Sequence, residues 1–212
     1  HVAIIILNWN GLSDTLECLE SVFKNTYSNY SVYVIDNASE QDDLSKIRDS
    51  STRLRRLGRN DTRLIFIQNE KNLGFAEGNN VGIRRAMEDG AEYIFTLNND
   101  TVVDPDFLIE AMASFLYHSE RVASGDEPRN PFPLGIVATT MLNYYKRDRI
   151  DSLGHDLLSC GDSVPRYRGM TTTQPAGSGL CPEAKRDHNM VQDRALNQHA
   201  CALLVKSDSS AP

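Results

Sequence analysis

Four apolar runs, each closed by a polar cluster, constrain this chain more than any other feature. Val2 to Leu7 stops at Asn8-Trp9-Asn10-Gly11, and Ser31 to Ile35 stops at Asp36-Asn37-Ala38-Ser39. Arg63 to Gln68 stops at Asn69, and Glu92 to Leu97 stops at Asn98-Asn99-Asp100. The first run is continuous and rich in Ile, the pattern of a strand buried on both faces of a parallel sheet. Helical patterns separate the runs. Leu16, Leu19, Val22 and Phe23 make one apolar stripe, with Ser13 or Asp14 as the expected cap. A polar helix is expected over roughly 41 to 49, followed by a basic surface loop over 48 to 61. The segment NLGFAEGNNVGIRRAMEDG reads as a loop turning into a helix that ends at Gly90. After Pro105, which suits a helix start, Phe107, Leu108, Ala111, Met112, Phe115 and Leu116 form a further stripe. Strand and helix alternating in this way predict an α/β fold with a mainly parallel sheet and right-handed crossovers. Ligands of such sheets bind beyond the carboxyl ends of the strands, where all four polar clusters fall.

Composition narrows the function classes. The chain has 212 residues and a net charge of −7, with the acidic residues scattered rather than in blocks. An acidic surface repels phosphate backbones, which argues against nucleic-acid binding. No apolar run reaches the ~18 residues of a membrane span, and no signal peptide is evident. The opening HVAIIILNWNG, a strand almost at once, is expected of an excised domain or fragment. Cys18, Cys160, Cys181 and Cys201 include no CxxC pair and are expected to be reduced thiols of an intracellular protein. Sequons at Asn29, Asn37, Asn60 and Asn99 are expected to be accidental, since two fall within the candidate site.

Beyond residue 120 the pattern weakens. Gly135 to Met141 and Cys201 to Val205 are expected strands, whereas 124–133 and 159–190 are expected loops. Asp148, Asp151, Asp156 and Asp162 form an acidic set with a surface role, of which one member could meet an acceptor.

Each polar cluster admits two readings. Asn98-Asn99-Asp100 is either a capped strand exit or a site where one carboxylate and a diphosphate share a hard divalent cation. Asp36-Asn37 is either an Asx turn or a reader of a base edge or ribose hydroxyl. Gly74, Gly78 and Gly82 either soften a helix start or let the backbone approach an anion at a helix N-terminus. Their spacing is not GxGxxG and they follow the third strand, which argues against a dinucleotide-binding oxidoreductase. Trp9 could stack on a base or sugar, or pack on its own loop. His155 is read as structural, with a ligand role as the sharper alternative.

Taken in order, VAIIILNWNG, VYVIDNASE, NEKNLGFAEGNNVGI and YIFTLNNDTVVDPDFL resemble the inverting glycosyltransferases of family two. The subgroup they are most similar to is rhamnosyltransferase-like and serves surface polysaccharide synthesis. The resemblance is strong over residues 2 to 116 and continues weakly through GIVATTML, DSLGHDL and ACALLVKSD. It implies a GT-A, Rossmann-like fold in one glycosyltransferase-like domain, 1–212. Residues 1–116 would be the nucleotide-sugar-binding half and 117–212 an incomplete acceptor-side half.

The resemblance also implies roles. Asn8 and Asn10 would line the nucleotide pocket, and Asp36 with Asn37 would bind the base or ribose. Asn72, Gly74, Phe75 and Asn79 would shape the site for nucleoside and diphosphate. Asn98 and Asn99 would belong to a variant of the DxD-type motif in which Asn98 replaces the first Asp, leaving Asp100 as the contact to Mg²⁺ or Mn²⁺. Donor and acceptor would be a nucleotide-diphosphate sugar and a glycan or lipid-linked glycan. The location would be cytoplasmic, with peripheral association at the cytoplasmic face of the membrane as an added option. The family's catalytic base lies in an acidic motif after the strand matching ACALLVKSD. No counterpart precedes Pro212, so the base is unassigned and the chain is expected to bind donor with little or no transfer; Asp151, Asp156 and Glu183 are the alternatives. A degenerate or truncated nucleotide-sugar-binding module is the second reading. A nucleotidyltransferase is the third, disfavoured because LNWNGLSD carries no basic Gly-rich loop.

Overall fold

The structure, a computed structural model, describes residues 1–55, 63–113, 115, 136–138, 141–142, 145–146, 148–152, 155–157, 163–165 and 203–206. The first part alternates as read: β1 (Val2–Asn8), α1 (Leu12–Val22), β2 (Tyr30–Asp36), α2 (Asp43–Arg55), β3 (Arg63–Gln68), α3 (Gly74–Glu88) and β4 (Tyr93–Asn98). A fourth helix, α4, covers 107–113. Short strands follow: β5 (Ile136–Ala138), β6 (Met141–Leu142), β7 (Ile150–Ser152), β8 (His155–Leu157), β9 (Ser163–Pro165) and β10 (Leu203–Lys206).

The chain divides into two compact units. The first, His1–Thr139 with Ala200–Pro212, holds a six-stranded sheet in the order β3-β2-β1-β4-β10-β5. The four long strands run parallel, and β10 lies antiparallel to both β4 and β5. The second, Thr140–His199, holds two antiparallel pairs, β6 with β7 and β8 with β9.

β1 shows why its sequence runs apolar without a break. Val2, Ile4 and Ile6 pack with Leu19 and Val22 of α1, Leu44 and Ile47 of α2, and Leu108 and Met112 of α4. Ala3 and Ile5 face the other way, toward Ala86 and Ile83 of α3. Both faces are covered, so alternation has nothing to mark. α1 and α2 share a face while the chain advances from β1 to β3. The chain then turns back to β4, and a constant crossover hand puts α3 on the opposite face. This is the expected parallel α/β sheet flanked by helices. Among the described residues no helix is long and apolar enough to cross a membrane.

Several boundaries differ from expectation. α2 runs on to Arg55 through residues read as loop, because Leu44, Ile47 and Ser51 form a buried face at helical spacing. The Arg48 guanidinium also lies 5.1 Å above the Phe66 ring. α1 starts after Gly11 with no side-chain cap, and Ser13 and Asp14 sit exposed in its first turn. The expected strand 135–141 is two strands, β5 and β6, in different sheets. Ser163–Pro165 is a strand inside a segment read as loop. Leu116, loop 124–133 and residues 56–62 lie outside the described residues, as do Cys160, Cys181, Cys201 and Glu183.

Candidate active site

Strand order 3-2-1-4 puts the reversal of chain direction between β1 and β4. A sheet of this kind opens a crevice at that point, beyond the carboxyl ends. Register aligns those ends: Asn8 pairs with Asp36, Leu7 with Asn98, and Asp36 with Gln68. All four polar clusters therefore meet along one edge.

Beneath that edge lies a buried hydrogen-bonded frame. Asn8 Nδ2 donates to Asp36 Oδ1 at 2.8 Å, with longer contacts to Ser39 Oγ at 3.2 Å and Asp43 Oδ2 at 3.4 Å. Asp36 also accepts from Ser39 Oγ at 2.6 Å, Ser39 N at 3.1 Å and Gln68 Nε2 at 2.8 Å. Both residues are fully buried. Asn8 and Asp36, expected to meet the nucleotide, thus present no surface here. A carboxylate taken out of water needs its acceptor sites filled, and neighbouring loops fill them.

Asn37 is a second node. Its Nδ2 donates to Asn72 Oδ1 at 2.9 Å and to the Gly74 carbonyl at 3.2 Å. Its Oδ1 accepts from Asn69 Nδ2 and Leu73 N, each at 3.0 Å. That spends both donors and both acceptor sites of an amide, and ties the end of β2 to the loop that starts α3. The same burial leaves no room for a glycan at its sequon. Asn10 joins its own loop to the next, donating its backbone N–H to Ser39 Oγ at 2.9 Å and accepting from Glu40 N at 2.8 Å. Asn10 and Ala38 both hold positive φ, 54° and 59°, the left-handed conformation that costs most residues energy.

Above the frame the surface is open. Asn10, Asn72 and Gly74 are exposed, and so are two aromatics, Trp9 at 56% and Phe75 at 63%. Asn79 is buried in α3 and donates to the Phe75 carbonyl at 2.9 Å.

The end of β4 is different. Asn99 Nδ2 donates to Thr15 Oγ1 at 3.0 Å, and the Asn98 carbonyl accepts a weak contact from the buried thiol of Cys18 at 3.7 Å. That thiol is pushed up to about 12, first by burial and then by the Asp100 carboxylate, so it stays protonated and inert. Asp100 Oδ1 and Thr101 Oγ1 are shielded from solvent and have no hydrogen-bond partner among the described residues. Burial raises the Asp100 carboxyl above its ordinary range; a backbone hydrogen bond opposes this, and the Asp14 carboxylate adds to it. A buried oxygen without a donor beside a hydroxyl without a partner is a hard-oxygen set suited to a divalent cation. No three His, Cys, Asp or Glu side chains converge on a metal among the described residues, so other oxygens would have to complete the shell.

Sequence reasoning missed Thr15, Asp43, Gln68 and Thr101. Thr15 did leave a signal: it sits on the buried face of α1 with Cys18, Leu19 and Val22, a polar residue within an apolar stripe. His155 lies in β8, Asp151 in β7 and Asp156 in β8, all in the second unit.

Comparison with known proteins agrees with this topology. The chain is 25% identical over 160 residues to the putative colanic acid biosynthesis glycosyl transferase WcaA of Escherichia coli (strain K12), covering 70% of this chain and 54% of the relative. It thus spans about half the length of that relative. The mannosyltransferase PcManGT from Pyrobaculum calidifontis, solved in complex with GDP-Man and Mn²⁺, superposes with a TM-score of 0.51 at 19% identity, over 67% of this chain and 35% of that one. TarS of S. aureus, residues 1–349, gives 0.46 at 20% identity over 56% of this chain and 33% of that one. The likeness to the mannosyltransferase supports the GT-A fold. The family described as Glycosyl transferase family 2 matches residues 3–172, which takes in all four strand-end clusters, and the chain belongs to it.

Proposed function

We propose that this chain acts in the transfer of a sugar from a nucleotide-diphosphate sugar to an acceptor glycan or lipid-linked glycan, with inversion at the anomeric carbon. Residues 1–116 bind the donor in this reading, and the remainder serves the acceptor side. Asn10, Asn72, Gly74, Phe75 and Asn79 shape the nucleotide site. Asn8, Asp36 and Asn37 act from beneath, holding the loops that carry them. Asn98, Asn99 and Asp100 serve the diphosphate end, with Mg²⁺ or Mn²⁺ at Asp100.

One observation carries the proposal. Asp100 Oδ1 lacks a partner among the described residues, while Asn8, Asp36 and Asn37 beside it have their donors and acceptors engaged. A buried acceptor left open at the end of β4, next in sequence to a Thr101 hydroxyl that also lacks a partner among the described residues, is a place for a ligand. The metal, when bound, would neutralise charge on the departing diphosphate. The protein's own part is to orient the donor and to hold the acceptor hydroxyl near a base. That base is unassigned. A lipid-linked acceptor would bring the protein to the cytoplasmic face of a membrane through its substrate.

Calorimetry with UDP, GDP and dTDP, with and without Mn²⁺, tests the reading. One nucleotide should bind wild type in a metal-dependent way and bind Asp100→Asn at least about tenfold more weakly, a difference of roughly 1.4 kcal/mol. Equal affinity of the two proteins, or no binding of any nucleotide, would reject it. GDP-Man, held by the mannosyltransferase of the same fold, and dTDP-rhamnose are the first full donors to try.

A further inference from the structure

We infer that Thr15 is a positioning residue: its hydroxyl couples the buried Asn8–Asp36 frame to the Asn98–Asp100 segment and so sets the diphosphate end of the site. The inference rests on the functional reading above and concerns a residue to which that reading gives no role.

The geometry is a relay. Thr15 Oγ1 donates to Asn8 Oδ1 at 2.9 Å and accepts from Asn99 Nδ2 at 3.0 Å. Thr15 and Asn8 are both fully buried, so water cannot replace the bond between them, while Asn99 is half-buried. On the far side, Asn8 donates to Asp36 Oδ1, and Asp36 accepts from Gln68 Nε2. One hydroxyl thus joins the ends of β1, β2 and β3 to the segment after β4. Other contacts from α1 to this segment include the long one from Cys18 to the Asn98 carbonyl and the bond that Ser21 Oγ accepts from Val103 N at 3.1 Å. Gly11 supports the same arrangement. A Cβ there would fall 2.5 Å from Asn99 Nδ2 and 3.4 Å from Asn8 Oδ1, so the backbone of the first loop closes over the Asn99 amide. Asn99 immediately precedes Asp100, whose Oδ1 has no partner among the described residues. Fixing the Asn99 amide fixes the backbone from which that oxygen is presented.

A hydroxyl in this place has a specific advantage over an amide or a carboxylate. It accepts from one neighbour and donates to the other through a single atom, so both bonds form without a second polar group to bury. Chains of this kind lose more than one bond when the middle member is removed.

The test compares Thr15→Val, which keeps the shape and removes the hydroxyl, with Thr15→Ser, which keeps the hydroxyl. Each is titrated with UDP, GDP and dTDP plus Mn²⁺, and with the matching monophosphates without metal. Thr15→Val should bind the preferred diphosphate about tenfold more weakly, the scale of one unsatisfied buried group. Its monophosphate affinity should stay within about twofold, and Thr15→Ser should restore the diphosphate affinity. A merely structural role would lower both affinities together or only the melting temperature. Equal loss for both ligands, or no loss in a folded Thr15→Val, overturns the inference. Failure of wild type to bind any diphosphate rejects the functional reading instead. The relay is then judged by hydrogen exchange of the Asn99 side-chain amide in NMR spectra: faster exchange in Thr15→Val upholds it, and unchanged exchange overturns it.

Discussion

Asn37 Nδ2 donates to Asn72 Oδ1 at 2.9 Å across 35 residues of sequence. The bond holds the loop before α3 against the end of β2. Asn72 Oδ1 in turn accepts from Gly74 N at 2.8 Å, where the chain turns at φ 78°. The entrance to α3 is therefore set by an amide on a different strand.

Asn37→Ala removes this node and leaves buried partners such as Asn69 without their bonds. Leaving a buried polar group unsatisfied costs ~1–3 kcal/mol, and more than one group is affected. A loss of about 2–4 kcal/mol in urea unfolding is expected. Amide exchange in the first turn of α3 should accelerate more than exchange in β1. Uniform acceleration would show that the node is not local.

Gly82 lies where α3 crosses β1 and β2. A Cβ there would stand 2.5 Å from Ile35 Cδ1 and 2.8 Å from Ile5 Cγ2. The Ile35 tip can rotate, but the Ile5 methyl is branched at Cβ and cannot move without the strand. Gly82→Ala should cost ~1–3 kcal/mol through overpacking, although alanine favours helix in isolation. A stabilised variant in thermal unfolding would show that α3 shifts freely on the sheet.

Ala38 holds φ 59° between Asn37 and Ser39. The left-handed region costs a residue with a Cβ ~1–2 kcal/mol, against ~0.5–1 kcal/mol of extra chain entropy for glycine. Ala38→Gly should therefore be more stable by a few tenths to about 1 kcal/mol. Diphosphate affinity measured alongside would tell whether the strain also serves binding.

Asp100 gives a pH-dependent prediction. Its folded carboxyl sits above the ordinary value, first because of burial, so the folded chain holds that proton more tightly than the unfolded chain. Stability from this group is full below the ordinary carboxylate range and falls as pH rises through the folded value. Without ligand, Asp100→Asn should melt about 1–2 °C above wild type at pH 7 and level with it below pH 3. Saturating Mn²⁺ and nucleoside diphosphate should reverse the order, because wild type gains more binding energy than the variant. Identical melting curves under all three conditions would remove Asp100 from the site.

Much of the fold from β1 to β4 was legible from residues alone, for a local reason. β1, β2, β3 and β4 read correctly to within a residue at each end, because strands covered on both faces are continuous apolar runs and polar residues end them abruptly. α3 ended near Gly90 because a glycine stops a helix by its own backbone freedom. α2 was cut short because its buried face includes Ser51, and a serine carries no apolar signal. Only the neighbouring sheet makes that face visible. The site divides along the same line. Its membership was readable, since polar strand ends must gather on one edge of a parallel sheet. The division of labour within it was not. Whether an amide faces ligand or frame depends on which groups, distant in sequence, fill its donors and acceptors. Asn8 and Asp36 turned inward because Thr15, Ser39 and Gln68 reach them, whereas the oxygen of Asp100 stayed open because none of the described side chains does. Sequence by itself determined the succession of strands along the chain and the chemistry of their ends; tertiary structure decided their order in the sheet and which of those ends were satisfied, because hydrogen bonding at a buried edge is settled by partners that only folding brings within reach.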